Sequence, residues 1–124
     1  MSKNIRPALK PDDLENFFIQ RLNAGDIEGL LALYEQDAVM VTGENQTISG
    51  IEAIRKFFTD LLADKPQFKP GKQRPAIQAA GDIALTSALL PDGSVTAEVA
   101  RRQPDGTWRW IIDQPAIARE TVKE

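Results

Sequence analysis

Two identical Pro-Asp-Gly tripeptides, at 91–93 and 104–106, divide the last third of the chain into short segments. In such a tripeptide proline presets φ, the aspartate side chain bonds to nearby backbone and glycine accepts a positive φ, so each copy favours a turn. The flanking segments are rich in apolar and β-branched residues, which is typical of strands. Four strands are predicted, at 67–80, 82–90, 94–103 and 107–115. The second half of the chain is therefore expected to form an antiparallel meander.

The first half of the chain has helical periodicity instead. Pro11 and the acidic residues after it are typical of a helix N-terminus. Gly25 is expected to end this helix, and Asp26 to cap a second one. The apolar stripe of the second helix consists of Ile27, Leu30, Leu31 and Tyr34. These spacings predict a helical hairpin.

A third helix is predicted after a short strand at 38–41 and a polar loop at 42–47. Ser49 and Glu52 have the spacing of a capping box, and the helix is expected to end before Pro66. Helices followed by a meander predict an α+β domain, in which a long curved antiparallel sheet wraps around three N-terminal helices. Such a sheet forms a cone whose wide end can stay open, so a pocket is expected there.

Composition and charge exclude several classes of protein. The 124 residues, 42% hydrophobic and 27% charged, are typical of one globular domain. The net charge of −3 has its signs interspersed, so neither nucleic acid nor an anionic membrane surface is an expected partner. No apolar run approaches the ~18 residues of a membrane span. Since neither a secretory signal nor a cysteine is found, a cytoplasmic location is predicted.

The sequence has no histidine and no cysteine. Histidine acid/base catalysis, thiol nucleophiles and zinc sites of the usual kind are therefore excluded. Neither a metal nor a cofactor is predicted. Any catalysis must come from carboxylates, Tyr34, lysines, arginines, hydroxyls or backbone groups.

Three motifs carry a family resemblance. They are LNAGDIEGLLALYEQDAVMV, then SGIEAIRKFF, and finally DGTWRWIIDQP. In this order they resemble the nuclear transport factor 2-like superfamily, in particular its ketosteroid isomerase-like and SnoaL-like branches. The resemblance covers about residues 12–115, and one SnoaL-like domain is predicted at 11–118, with residues 1–10 as a loose arm and 119–124 as a tail.

The same resemblance implies a cystatin-like cone with one deep pocket, commonly in a homodimer that packs through the outer face of the sheet. It does not fix the activity, because relatives include steroid isomerases, polyketide cyclases and dehydratases as well as transport factors. Ketosteroid isomerase uses an aspartate base and an oxyanion hole made of a tyrosine and a protonated acid. The resemblance aligns the tyrosine with Phe18, the base with Thr42 and the second acid with Glu98. Activity as a steroid isomerase itself is therefore not expected.

Glu98 and Asp113 are the predicted catalytic residues. Strand alternation puts Asp113 on one face with Arg109 and Ile111, and the resemblance directs this face into the cavity. Two carboxylates in an apolar cavity push their pKa values apart, which would give one general acid and one base. The alternative is structural: Asp113 would accept hydrogen bonds from backbone, or pair with Arg102 or Arg109, and anchor the rim of the cone.

The predicted ligand-binding residues are Phe18, Tyr34, Met40, Thr42, Arg102, Arg109 and Ile111. Phe18 and Met40 are expected to line an apolar wall, whereas Tyr34 belongs either to the core or to the cavity. Trp108 and Trp110 fall on the face opposite Asp113, where two adjacent tryptophans would be costly to expose. A homodimer contact through these tryptophans is predicted.

Two classes of function remain open from the sequence. The first is a small-molecule-binding domain with cofactor-free acid/base chemistry, of the isomerase, cyclase or dehydratase type, on an apolar oxygenated ligand. The second is a non-catalytic ligand-binding or protein-interaction module.

Overall fold

The computed structural model describes residues 6–43 and 45–117, which form three helices and six strands. In chain order the elements are α1 (Pro11–Ala24), α2 (Ile27–Leu31), β1 (Tyr34–Gly43), β2 (Gln46–Ser49), α3 (Ile51–Leu61), β3 (Lys72–Ala79), β4 (Ile83–Leu89), β5 (Val95–Arg102) and β6 (Trp108–Ile117). The strands make one curved sheet in the order β2-β1-β6-β5-β4-β3, and its inner face packs on the helices. The predicted α+β cone is confirmed.

The helical hairpin forms where the sequence predicts it. α1 begins with Pro11 in its first turn and ends at Gly25, whose φ of 68° is left-handed. Asp26 caps α2, because its carboxylate accepts a hydrogen bond from the backbone N–H of Gly29 at 2.9 Å.

The end of the second helix differs from the prediction. α2 stops at Leu31, and Tyr34 begins β1 instead of ending the helical stripe. The backbone N–H of Trp110 donates to the carbonyl of Leu33 at 2.7 Å, and Tyr34 is paired with Trp110 in the sheet. Pairing with β6 thus overrides the helical spacing of the side chains.

The predicted capping box is wrong. Ser49 belongs to β2, where it pairs with Val39, and β2 occupies part of the predicted polar loop. The N-cap of α3 is Gly50, with a φ of 93° that favours glycine and no side-chain hydrogen bond. The Gly50 N–H donates to the Ala38 carbonyl at 2.9 Å, so the sheet fixes the start of the helix.

The meander of β3 to β6 is antiparallel throughout, as predicted. β1 joins it alongside β6 in the parallel direction and pairs with β2 in the antiparallel direction. The first and last strands of the chain therefore lie side by side, and β6 becomes a central strand of the sheet.

A β-bulge in β6 decides which side chains face inward. Val99 pairs with Ile112 and Ala100 pairs with Trp110, so Ile111 is an extra residue on β6. An extra residue reverses the alternation of side chains beyond it. Trp110, before the bulge, and Asp113, after it, therefore both lie on the inner face although they are three positions apart.

This bulge contradicts the predicted assignment of faces. Trp108 and Trp110 are only 4% and 1% exposed and belong to the core, and Asp113 lies on the same inner side. The Trp110 ring lies 5.6 Å from that of Phe18 and 5.5 Å from that of Tyr34, measured between centroids. The predicted dimer contact through the two tryptophans is therefore wrong, because the tryptophans pack inside one chain.

The chain before α1 is held against the sheet from Ala8 onward. Ala8 is 2% exposed, and its carbonyl accepts from the Trp108 N–H at 2.9 Å. The Arg6 carbonyl accepts from Arg21 Nη2 at 2.6 Å. The predicted loose arm does not extend to these residues; residues 1–5 and the predicted tail at 119–124 lie outside the described residues.

Candidate functional site

A cavity of about 540 Å³ lies between the helices and the inner face of the sheet. Most of its wall is apolar and aromatic: Phe18, Ile19, Met40, Phe57, Phe58 and Trp110. Volumes of this size are typical of small-molecule sites. The polar groups that reach such a wall determine what it can bind.

A segment between α3 and β3 forms part of the wall, through Gln67, Phe68 and Lys69. The side chain of Asn23 holds it to α1 with two hydrogen bonds. Asn23 Nδ2 donates to the Phe68 carbonyl at 2.9 Å, and Asn23 Oδ1 accepts from the Phe68 N–H at 2.7 Å. The amide of one α1 residue thus fixes the backbone of this wall.

Four side chains form a row across the sheet. Thr86 on β4 pairs with Glu98 on β5, Glu98 pairs with Asp113 on β6, and Asp113 pairs with Met40 on β1. Side chains at paired positions stand on the same face with Cβ atoms about 5 Å apart. All four are buried, and the last three line the cavity. The two predicted catalytic carboxyls are therefore neighbours at one wall.

Glu98 is 3% exposed and lies in a chain of hydrogen bonds. The Trp110 indole Nε1 donates to Thr86 Oγ1 at 3.0 Å, and Thr86 Oγ1 donates to Glu98 Oε1 at 2.5 Å. Burial is the main cause that raises the pKa of Glu98 to about 9, and the charges of Glu15 and Asp113 add to it. Hydrogen bonds to Thr86 and Thr96 act in the opposite direction. Glu98 is therefore a neutral acid at pH 7.

Asp113 is also 3% exposed, but its partner is a phenol. The Tyr34 hydroxyl donates to Asp113 Oδ2 at 2.5 Å. Burial raises the pKa of Asp113 to about 6, and the hydrogen bond from Tyr34 counteracts that rise. Burial, followed by the charge of Asp113, raises the pKa of Tyr34 well above its usual value. At pH 7 Asp113 is therefore mainly ionised and Tyr34 is neutral.

A third carboxyl, Glu15 on α1, lines the same cavity and is absent from the predicted site. Its Oε1 atom is buried without a hydrogen-bond partner among the described residues. Burial, followed by the charge of Asp113, raises the pKa of Glu15 to about 7. The sequence contains a signal for it: Glu15 precedes Phe18, Ile19 and Leu22 by three, four and seven positions, which puts a carboxyl on an apolar helical face.

The predicted ligand-binding residues divide into two groups. Phe18 and Met40 line the cavity, and Tyr34 lies behind the wall against Asp113. The remaining four do not line it: Thr42, Arg102, Arg109 and Ile111. The bulge explains this difference, because it turns Arg109 and Ile111 away from the face that carries Asp113. Arg102 lies at the end of β5 and is exposed.

The structural alternative for Asp113 is bonding to backbone or to an arginine at the rim, and the ion pairs bear on the arginine form. Within residues 6–43 and 45–117, neither Asp113 nor Glu98 forms an ion pair, and Arg102 and Arg109 are exposed. The carboxyls are bonded to neutral hydroxyls instead. Rim anchoring through arginine is therefore contradicted by the structure.

Two features are absent from the described part of the chain. No three acidic side chains there are arranged to hold a metal ion. None of the described helices has the length and apolar character required to cross a membrane.

Comparison with known proteins gives one family and many related folds. The family model of the SnoaL-like domain matches residues 14–119. A comparison with curated protein sequences gives no match. Among solved structures, a domain of unknown function with a cystatin-like fold from Nostoc punctiforme is similar, with a TM-score of 0.71 and 17% identity over 90% of this chain and 76% of that one.

Two other solved structures are similar at the same level. An NTF2-like protein of unknown function from Shewanella oneidensis has a TM-score of 0.69 and 15% identity over 82% of this chain and 92% of that one. A ketosteroid isomerase-like protein from Erwinia carotovora has a TM-score of 0.67 and 15% identity over 87% of this chain and 94% of that one. These likenesses support the fold.

Proposed function

Because the chain belongs to the SnoaL-like domain family, within the nuclear transport factor 2-like superfamily, we propose that its cavity binds an apolar, oxygenated small molecule and performs cofactor-free acid/base chemistry on it. One observation carries the proposal. Glu98 and Asp113 are paired across two strands at an apolar wall, yet their different partners and surroundings give them different protonation states at pH 7. A neutral acid beside a carboxylate is the arrangement that general acid/base catalysis requires.

The two carboxyls have separate roles in this proposal. The neutral carboxyl of Glu98 donates a hydrogen bond to a carbonyl or hydroxyl oxygen of the ligand, and stabilises negative charge that develops there. The carboxylate of Asp113, oriented by Tyr34, accepts a proton from carbon. Double-bond isomerisation, aldol-type cyclisation and β-elimination of water each begin this way when the C–H proton lies beside a polarised carbonyl.

A substrate of known chemistry tests this proposal before the natural ligand is identified. Nitrobenzisoxazole is an apolar ring that opens to a coloured nitrophenolate when a base removes its ring C–H proton and the N–O bond breaks. We expect the protein to open it faster than buffer does. Asp113→Asn should lower the rate ~10²-fold or more, the usual contribution of a general base.

The matched control is Glu52→Gln, which changes an exposed carboxylate on α3 and should leave the rate unchanged. Binding of the ring is followed separately through the fluorescence of Trp110, which lines the cavity. A ring that binds but opens at the rate of buffer contradicts the acid/base proposal.

One observation favours the second candidate, a non-catalytic ligand-binding domain. Phe18 replaces the tyrosine of the isomerase pattern, and Thr42, at the position of its base, does not line the cavity. Binding of small apolar molecules without any proton transfer would support this second function.

A homodimer through the outer face of the sheet is also proposed, with a different set of side chains from the tryptophans. Paired positions form a continuous apolar row from β3 to β1, made of Ile77, Leu85, Val99, Ile112 and Val39. Ile77, Leu85 and Ile112 are 67%, 42% and 45% exposed in the single chain. An apolar row of this length on a sheet face favours contact with a second copy.

The cytoplasmic location stays a prediction.

Analytical ultracentrifugation tests the dimer. Ile112→Lys places a charge within the row and should shift the protein from twice the chain mass to the mass of one chain. Leu9→Lys changes a residue that is 72% exposed outside the row and should leave the mass unchanged. A monomeric wild-type protein would contradict the proposal.

A further inference from the structure

The cavity wall has more acidic than basic side chains. Glu15, Glu98 and Asp113 all contribute carboxyl groups to its wall. Among the described residues, Lys69 is the one basic side chain that lines the cavity, and it is exposed at the mouth. The interior therefore offers hydrogen-bond acceptors and negative charge, but no cation to receive an anionic ligand.

Glu15 differs from the other two carboxyls in its hydrogen bonding. Glu98 is bonded to the Thr86 hydroxyl and Asp113 to the Tyr34 hydroxyl. Glu15 Oε1 is shielded from solvent and has no partner among the described residues. A buried carboxyl oxygen without a donor is costly in a folded protein, and such atoms are usually paired with a protein group, a water or a bound molecule.

We propose that the ligand of this cavity carries an amine, whose N–H group donates to Glu15 Oε1 while its apolar body lies on the aromatic wall. This inference rests on the ligand-binding part of the proposed function, and it narrows the apolar ligand proposed there to amphipathic amines. It is independent of whether Asp113 removes a proton.

The rest of the wall suits the same class of ligand. Phe18, Phe57, Phe58 and Trp110 provide aromatic surface within one cavity. Aromatic faces attract ammonium groups through their negative π-systems and also bind apolar rings. Glu15 lies three positions before Phe18 on α1, so the carboxyl and an aromatic ring are neighbours on one helical face.

Three compounds with one apolar body and different head groups test the inference: phenylbutylamine, phenylbutanol and phenylbutyrate. Each is titrated into the intact protein at neutral pH by isothermal calorimetry. We expect the amine to bind ~10-fold or more tightly than the alcohol, which corresponds to one charge-assisted hydrogen bond. The carboxylate should not bind measurably, because it would enter a negatively charged cavity.

Variants of Glu15 identify the group that the amine contacts. Glu15→Gln should weaken amine binding ~10-fold or more and leave alcohol binding within ~2-fold. Glu15→Asp keeps the charge but shortens the side chain, and should weaken amine binding less than Glu15→Gln. Glu52→Gln on the exposed face of α3 is the matched control and should change none of the three affinities. Near-ultraviolet circular dichroism of the two buried tryptophans verifies that each variant is folded.

The binding results distinguish failure of the amine inference from failure of the proposed function. Equal affinity for all three head groups, tighter binding of the carboxylate, or amine binding that Glu15→Gln leaves intact overturns this inference, while ligand binding itself stands. Absence of binding by all three compounds overturns it together with the ligand-binding part of the proposed function. Amine binding that depends on Glu15, without opening of nitrobenzisoxazole, supports the inference and contradicts only the proposed chemistry.

Discussion

Glu98 and Asp113 occupy directly paired positions on β5 and β6, and both side chains are buried at the wall of one cavity. Two carboxylates at this separation cannot both be ionised without a large electrostatic cost. Their partners make them inequivalent: Glu98 takes part in a chain with Thr86 and Trp110, whereas Asp113 accepts from the phenolic hydroxyl of Tyr34. Charge therefore resides on Asp113 and the shared cavity keeps Glu98 neutral.

Removal of the Tyr34 hydroxyl should raise the pKa of Asp113. The hydrogen bond from Tyr34 stabilises the carboxylate and lowers the pKa of Asp113. In Tyr34→Phe this effect is lost, whereas burial still raises the pKa. We expect the pKa to move upward from about 6, and the free energy of unfolding at pH 7 to fall by ~1–2 kcal/mol. Carbon-detected NMR of the aspartate carboxyls measures the pKa, and urea unfolding measures the free energy of unfolding. An unchanged pKa in the folded variant would count against the assigned hydrogen bond.

Thr86→Val should destabilise the protein although the side chain keeps its shape. The variant leaves the Trp110 indole N–H without an acceptor and removes one donor from Glu98. A loss of ~1–3 kcal/mol in the free energy of unfolding is expected from such unpaired buried groups. Thr47→Val, at an exposed position on β2, is the control and should change stability by less than ~0.5 kcal/mol.

Stability should fall as the pH rises through neutrality. The pKa of Glu98 is about 9 in the folded protein against a reference of 4.5, so the folded state holds a proton that the unfolded state releases. This contribution is complete below pH 4.5 and is lost as the pH rises to about 9. The free energy of unfolding changes by up to ~1.4 kcal/mol for each pH unit crossed inside this window.

Glu98→Gln should flatten that dependence, because glutamine resembles the neutral acid and does not titrate. Thermal unfolding between pH 5 and pH 9 measures the slope for both proteins. A slope in the wild-type protein that equals the slope in the variant would show that Glu98 is ionised in the folded state.

Glu15→Met should stabilise the protein while it weakens amine binding. The substitution replaces a half-buried carboxyl, whose shielded Oε1 has no partner among the described residues, with an apolar side chain of similar length in a mostly apolar wall. A gain of ~1–3 kcal/mol in the free energy of unfolding at pH 8 is expected from the removal of an unsatisfied group. Chemical denaturation measures the gain, and a loss of stability would indicate that Glu15 has a structural partner.

The parts of the fold that are predictable from the sequence depend on local chemistry. Gly25 ends α1 in a left-handed backbone conformation, and Asp26 is the N-cap of α2. Both roles depend on neighbouring residues, so no distant contact is needed to identify them. The antiparallel meander follows from turn residues between successive strands. Ser49 is misleading because β2 pairs it with Val39, a contact that a capping pattern does not contain.

The candidate site is predictable only in part, because one inserted residue in β6 changes its geometry. Residue type and strand position identify Glu98 and Asp113, but the extra residue Ile111 reverses the face of everything before it. Strict alternation therefore places Trp110 outside and Arg109 inside, the opposite of the structure. A bulge is determined by pairing with the next strand, and a single strand's pattern does not contain that information.

Carboxyl-selective NMR titration of the wild-type protein shows whether Glu98 is neutral while Asp113 is ionised. Glutamate and aspartate side-chain carbons are followed from pH 3 to pH 10, with Glu98→Gln and Asp113→Asn used to assign the two signals. We expect Asp113 to titrate near 6, and Glu98 to keep its proton through pH 7 and lose it near 9. Titration of both carboxyls below pH 5 would show instead that neither group is a neutral acid in the cavity at pH 7.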